Sequence, residues 1–114
     1  MADSLAVEAP RGAILCLRSL RDTGGAAVTV SDAEILAAIP ELASTAGVFA
    51  EPAAAAALAG LRRGLAAGLV EPSETAVLLV TGSGLKDVRS VALSVSRPEP
   101  IEPTLQATAL RLGL

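Results

Sequence analysis

Apolar positions near the start of the chain recur at helical spacing. Ile14, Leu17 and Leu20 fall on one face of a helix that Pro10 opens and Thr23-Gly24-Gly25 stops. The period then changes. Ala26 to Val30 is short and partly β-branched, which predicts a strand. Ser31 and Glu34 form an S-x-x-E capping box, in which each side chain satisfies the other's free backbone N–H, so the next helix starts at Asp32. Pro40 inside that helix predicts a kink or a restart, and Gly47 predicts its end. Val48 to Ala50 lead into Glu51-Pro52, a second helix start. The helix that follows runs to about Ala67, includes the alanine run Ala53 to Ala57, and is apolar nearly all round until Arg62 and Arg63. Such a helix is buried rather than laid on a surface.

After a turn at Glu71 to Glu74, Ala76 to Val80 is a continuous apolar run, the pattern of a strand covered on both faces in a parallel sheet. It ends at Thr81-Gly82-Ser83-Gly84. Asp87 caps a short helix through Leu93, and Pro98, Glu99, Pro100 and Pro103 break the chain before a last amphipathic stretch, Leu105 to Leu112. The order α, β, α, α, β, α predicts a layered α/β fold with helices feeding parallel strands. Residues 1–96 make up the α/β part, and 97–114 a tail with a short helix.

Composition sharpens this picture. Of 114 residues 52% are hydrophobic, yet Phe49 is the only aromatic and there is no His, Trp or Tyr. The core must be built from Ala, Val, Leu and Ile, whose small side chains let helices approach closely. A mean hydropathy of +0.58 is high for a lone domain of this length, so part of the apolar surface is expected to stay exposed as an interface. The net charge of −3 is mild and the basic residues are scattered, which argues against a nucleic-acid partner. Cys16 stands alone, so neither a disulfide framework nor a cysteine-rich metal site is expected. The first residues lack the basic, then apolar, pattern of a signal peptide, and Glu51-Pro52 interrupts the best membrane-span candidate. No membrane partner and a cytoplasmic location are expected.

Without histidine, chemistry must rest on hydroxyls, carboxylates, backbone amides or a bound cofactor. In open α/β sheets ligands gather at the carboxyl ends of strands, and Val80 to Gly84 is the best such place here. Thr81 offers a hydroxyl, and Gly82 and Gly84 permit close backbone approach. By itself the G-S-G sequence is an ordinary strand-to-helix turn; it is neither a Walker loop nor G-x-G-x-x-G, since Asp87 occupies the last position.

Longer segments are more specific. AVLLVTGSGLKD at 76–87 resembles the VVxxxTGxGLKD signature of threonine synthases, and GVFAEPAAAAALAGL at 47–61 resembles their GVFxEPAxAAxxAGL segment. VTVSDAEILAAI at 28–39 and ADSLAVEAPR at 2–11 resemble the preceding strand-and-helix and the ADxxxVxxPR loop. The four occur in the family's order.

The resemblance implies the C-terminal portion of a fold type II pyridoxal-phosphate enzyme, a lyase of amino-acid biosynthesis. The expected fold is a partial three-layer α/β/α domain with a mostly parallel sheet. It implies that Thr81 hydrogen-bonds the pyridine nitrogen, that Gly82, Ser83 and Gly84 line the ring edge, and that Glu51 lies near the ring. Ser83 departs from the histidine or asparagine that relatives often have there. Glu51 can equally be read as a first-turn acid favoured by the helix dipole, and Lys86 reads as a surface or structural cation.

The family's Schiff-base lysine and glycine-rich phosphate loop belong to the N-terminal half, upstream of the matched region, and Met1 stands where relatives have an internal residue. No catalytic residue is therefore expected in this chain. It should be inactive alone and should not bind pyridoxal phosphate stably, although the full-length parent does. A homo-oligomer or a separately made N-terminal half is the expected partner. Two other readings stay open: a non-catalytic remnant that acts only by association, and a threonine dehydratase-like parent, against which T-G-S-G-L-K-D argues.

Overall fold

The structure, a computed structural model, describes residues 1–114. It is built on an α-helical pair. Helix α1 spans Ala13–Thr23, α2 Asp32–Ala46, α3 Pro52–Ala66, α4 Val88–Val91 and α5 Leu105–Leu112, with 3-10 turns at Asp3–Leu5 and Gly84–Lys86.

The boundaries follow local chemistry. The capping box forms as expected: Glu34 N–H donates to Ser31 Oγ at 3.3 Å, and Ser31 N–H donates to the Glu34 carboxylate at 2.7 Å. Gly47, at φ 67°, ends α2 in the left-handed conformation that glycine alone adopts without penalty, and Val48 N–H returns to Leu42 O. Glu51 is the N-cap of α3, with Pro52 in its first turn.

Helix α2 departs from expectation by running through Pro40 without a break. Proline removes one backbone N–H, but Ile35, Ala38, Ile39 and Leu42 of the same helix are all buried, and this burial outweighs the missing hydrogen bond.

These four side chains pack with Ala50, Ala54, Ala55, Ala59 and Val91 in one core. Alanine on α3 leaves no bulk between the helices, so α2 and α3 lie close along their length. Arg63 bridges to Glu34 at 2.7 Å, near the start of α2, and Arg62 to Glu41 farther along it, which ties the end of α3 to α2 in an antiparallel pair. Val91 brings α4 into the same core, whereas α1 and α5 bury none of their residues.

No β-strand forms. Ala26–Val30 and Ala76–Val80 lie outside every helix, and none of their backbone N–H or C=O groups makes a hydrogen bond within the chain. The expected parallel sheet is therefore absent here. A strand exists only by pairing, and the sole β-bridge is antiparallel, between Ala50 and Ser83. Val80 packs partly against the helical core, while Val77 and Leu79, of alternate parity, are 82% and 76% exposed. The radius of gyration is 18.2 Å, where a compact chain of this length has about 13 Å.

Candidate functional site

The best candidate lies where the 76–80 segment ends against the start of α3. Residues 49–51 and 82–84 run antiparallel there: Glu51 N–H donates to Gly82 O at 3.0 Å and Gly84 N–H donates to Phe49 O at 2.9 Å. The turn Gly84–Lys86 then folds the chain back. Ser83 Oγ accepts from Leu85 N–H at 3.3 Å, and Asp87 caps α4 by accepting from Ser90 N–H at 3.0 Å. That hydrogen bonding to Ser90 holds the Asp87 carboxyl below its ordinary range.

Gly82 and Gly84 are both buried, and neither has a positive φ. Space, not backbone freedom, calls for glycine. A Cβ on Gly82 would overlap Oε1 and Cδ of Glu51 and lie 2.7 Å from its Cγ. A Cβ on Gly84 would lie 2.7 Å from Cε1 and Cζ of Phe49. The side of the loop on which a Cβ would project is thus filled by the chain itself.

Glu51 is 6% exposed and is the one charged residue in the buried set. Its carbonyl accepts from Ala54 and Ala55 N–H at 3.0 and 2.9 Å, and its Oε1 lies 3.4 Å from Lys86 Nζ. The positive end of α3 and the ammonium together make burial of the carboxylate tolerable.

Thr81, by contrast, is exposed, and its hydroxyl has no hydrogen-bond partner within the chain. Ser83 is exposed too, but its hydroxyl is used locally. The structure therefore brings all five sequence-identified residues, Glu51 and Thr81 to Gly84, into one place. It also gives two residues a definite part: Lys86, read as a surface or structural cation, is the ion-pair partner of Glu51, and Phe49 is the filler over Gly84. A lone lysine two residues beyond G-S-G gives no pattern from which such a pairing could be read.

A sequence profile of the family described as "Pyridoxal-phosphate dependent enzyme" matches residues 1–82, a span that takes in Glu51, Thr81 and Gly82. The chain belongs to the pyridoxal-phosphate-dependent enzymes. Within that family its relatives include the threonine synthase of Methanosarcina acetivorans, 36% identical over 107 residues, which are 94% of this chain and 26% of that protein. The threonine synthase of Halalkalibacterium halodurans is 39% identical over 87 residues, 76% of this chain and 25% of that protein. That of Mycobacterium tuberculosis H37Rv is 33% identical over all 114 residues, 32% of its own length. The chain thus spans about a quarter to a third of the length of the curated relatives it matches.

For a pyridoxal-phosphate enzyme the residues present here fit one part of a cofactor site. A ring nitrogen needs a hydrogen-bonding partner not already engaged, and the Thr81 hydroxyl is one. Among these residues no cradle for a phosphate is apparent. No helix in the chain is long and apolar enough to cross a membrane.

Proposed function

We propose that this chain is the C-terminal part of the cofactor-binding domain of a threonine synthase-like lyase, and that it acts only when completed by an N-terminal part. The observation that carries the cofactor reading is the Thr81 hydroxyl, exposed and without a partner, on a loop fixed from behind by Glu51 and Phe49. When bound, pyridoxal phosphate supplies an electron sink for carbanion charge at a substrate carbon. Thr81 would hydrogen-bond the ring nitrogen, and Gly82 to Gly84 would set the position of that hydroxyl. Because the partner is a neutral hydroxyl, the ring nitrogen is not forced into its protonated form.

The need for completion is supported by surface area. The chain exposes 8734 Å², about 3,000 Å² more than a compact protein of its mass. An excess of that size is typical of obligate interfaces. Ala26–Val30 and Ala76–Val80, extended and with free backbone groups, would become strands of a mostly parallel sheet on docking, with residues 97–114 as a tail outside it. The same excess area favours a second reading, self-association without catalysis. A cytoplasmic location accords with the first.

The test is complementation. The chain is mixed with the N-terminal part of a threonine synthase relative, and conversion of O-phosphohomoserine to threonine is followed with added cofactor. The expected result is activity in the mixture, none from either part, and a large loss on Thr81→Ala. Activity from this chain alone would overturn the reading, as would a Thr81→Ala mixture as active as the parent.

A further inference from the structure

Glu51 buries a carboxylate in a core otherwise made of alanine, isoleucine, leucine and valine, and its surroundings assign it a task other than touching a ligand. Its side chain occupies the volume that a Cβ on Gly82 would take, so the carboxylate lies directly across that glycine. Its backbone N–H holds Gly82 O at 3.0 Å. The 3-10 turn Gly84–Lys86 brings the chain back so that Lys86 Nζ donates to Glu51 Oε1 at 3.4 Å. Gly82, Glu51 and Lys86 thus close a loop in which each part holds the next.

We infer that Lys86 is the counter-ion that locks Glu51 over Gly82, and that this lock fixes the loop end bearing Thr81. The inference rests on the reading of Thr81 given above. A carboxylate taken out of water stays there only if it is paired. The end of α3 helps, but the Glu51 side chain makes no capping hydrogen bond to it, which leaves Lys86 as the cation in contact. Without the ammonium the carboxylate turns out to solvent. The space over Gly82 then empties, and the two backbone hydrogen bonds that join 49–51 to 82–84 lose the packing that shields them. The adjoining residue, Thr81, would lose its fixed position. Lys86 is thus a positioning residue, acting through Glu51 and Gly82 and itself 64% exposed at the side chain.

Native-state amide exchange on the isotope-labelled 114-residue chain tests this without cofactor. The amides of Glu51 and Gly84 report opening of the lock, and those of α2 serve as reference. Lys86→Met is expected to speed exchange at both amides about tenfold, with α2 unchanged, as expected for a half-buried pair between the surface and buried limits. Lys86→Arg is expected to keep wild-type protection. The double variant Glu51→Gln with Lys86→Met is expected to regain most of it, because an uncharged amide needs no counter-ion.

Wild-type exchange rates in Lys86→Met would overturn the inference. So would an equal loss in the double variant, or unprotected Glu51 and Gly84 amides in the parent chain. Failure of the cofactor reading shows elsewhere, in complementation that is indifferent to Thr81→Ala, and leaves these exchange rates unmoved.

Discussion

Replacing Gly82 with alanine puts a methyl group into atoms of Glu51, and the outcome can be worked through. The new Cβ overlaps Oε1 and Cδ and lies 2.7 Å from Cγ, so one side must yield. If Glu51 swings out, the chain loses a half-exposed ion pair and the burial of two methylenes, together about 2 kcal/mol. If residues 82–84 move instead, it loses the hydrogen bonds Glu51 N–H to Gly82 O and Gly84 N–H to Phe49 O, at about 1 kcal/mol each. Either route costs about 2 kcal/mol, from which alanine's smaller unfolded-state entropy returns about 0.5 kcal/mol, since φ at 82 is not positive. Every atom in the clash lies beyond Cβ of Glu51, so a Glu51→Ala background removes it. There Gly82→Ala should instead stabilise by about 0.5 kcal/mol, a coupling of about 2 kcal/mol between the sites. Urea unfolding followed by far-ultraviolet circular dichroism measures the four variants; with no Trp or Tyr, fluorescence is of little use. An equal cost of Gly82→Ala in both backgrounds would refute the steric argument.

The other predictions use the same chain. Ile39→Ala, at a fully buried position facing small neighbours, should cost about 3 kcal/mol, enough to abolish a cooperative urea transition; a loss under about 1 kcal/mol would contradict the packing described. Glu34 has its carboxyl held below the ordinary range by the Ser31 backbone N–H first, then the Ser31 hydroxyl, with Arg63 adding to this. Its folded value lies below its unfolded one, so the stability it contributes is present above about pH 4 and is lost as pH falls through the folded value. Glu34→Gln should therefore flatten the acid limb of a stability-versus-pH curve, and an unchanged limb would count against the capping box. Charging the exposed face, Val77→Lys with Leu79→Lys, should leave the helical signal of the isolated chain intact yet abolish complementation; unimpaired complementation would mean that this face is not docked.

The helices could be read from the sequence because their signals are local. Ser31 with Glu34, Gly47, Glu51-Pro52 and Asp87 each set a boundary through atoms a few residues apart, and the structure places each where that chemistry requires. Pro40 misled because the burial of Ile39 and Leu42, which carries α2 across it, is a tertiary fact. The segments Ala26–Val30 and Ala76–Val80 read as strands, but pairing is a property of two segments, and no second one lies beside either. At the site, Thr81 to Gly84 stood out as a loop, whereas the reason for its glycines did not. That reason is the Glu51 and Phe49 side chains, some thirty residues earlier, and no spacing rule links them.

Helices α2 and α3 are neighbours in sequence, joined through residues 47–51, and they hold nearly all of the buried core. Contacts that close over so short a loop form early, on the order of microseconds, whereas pairing of distant strands takes milliseconds or longer. This sets an order of events in time: the helical hairpin is complete first and offers a finished surface, and on the proposed docking the two extended segments would stay open until a partner segment pairs with them. A change that slows the hairpin, such as one at Ile39 or Ala55, would lengthen every later step, while one at Val77 would be felt only at the last.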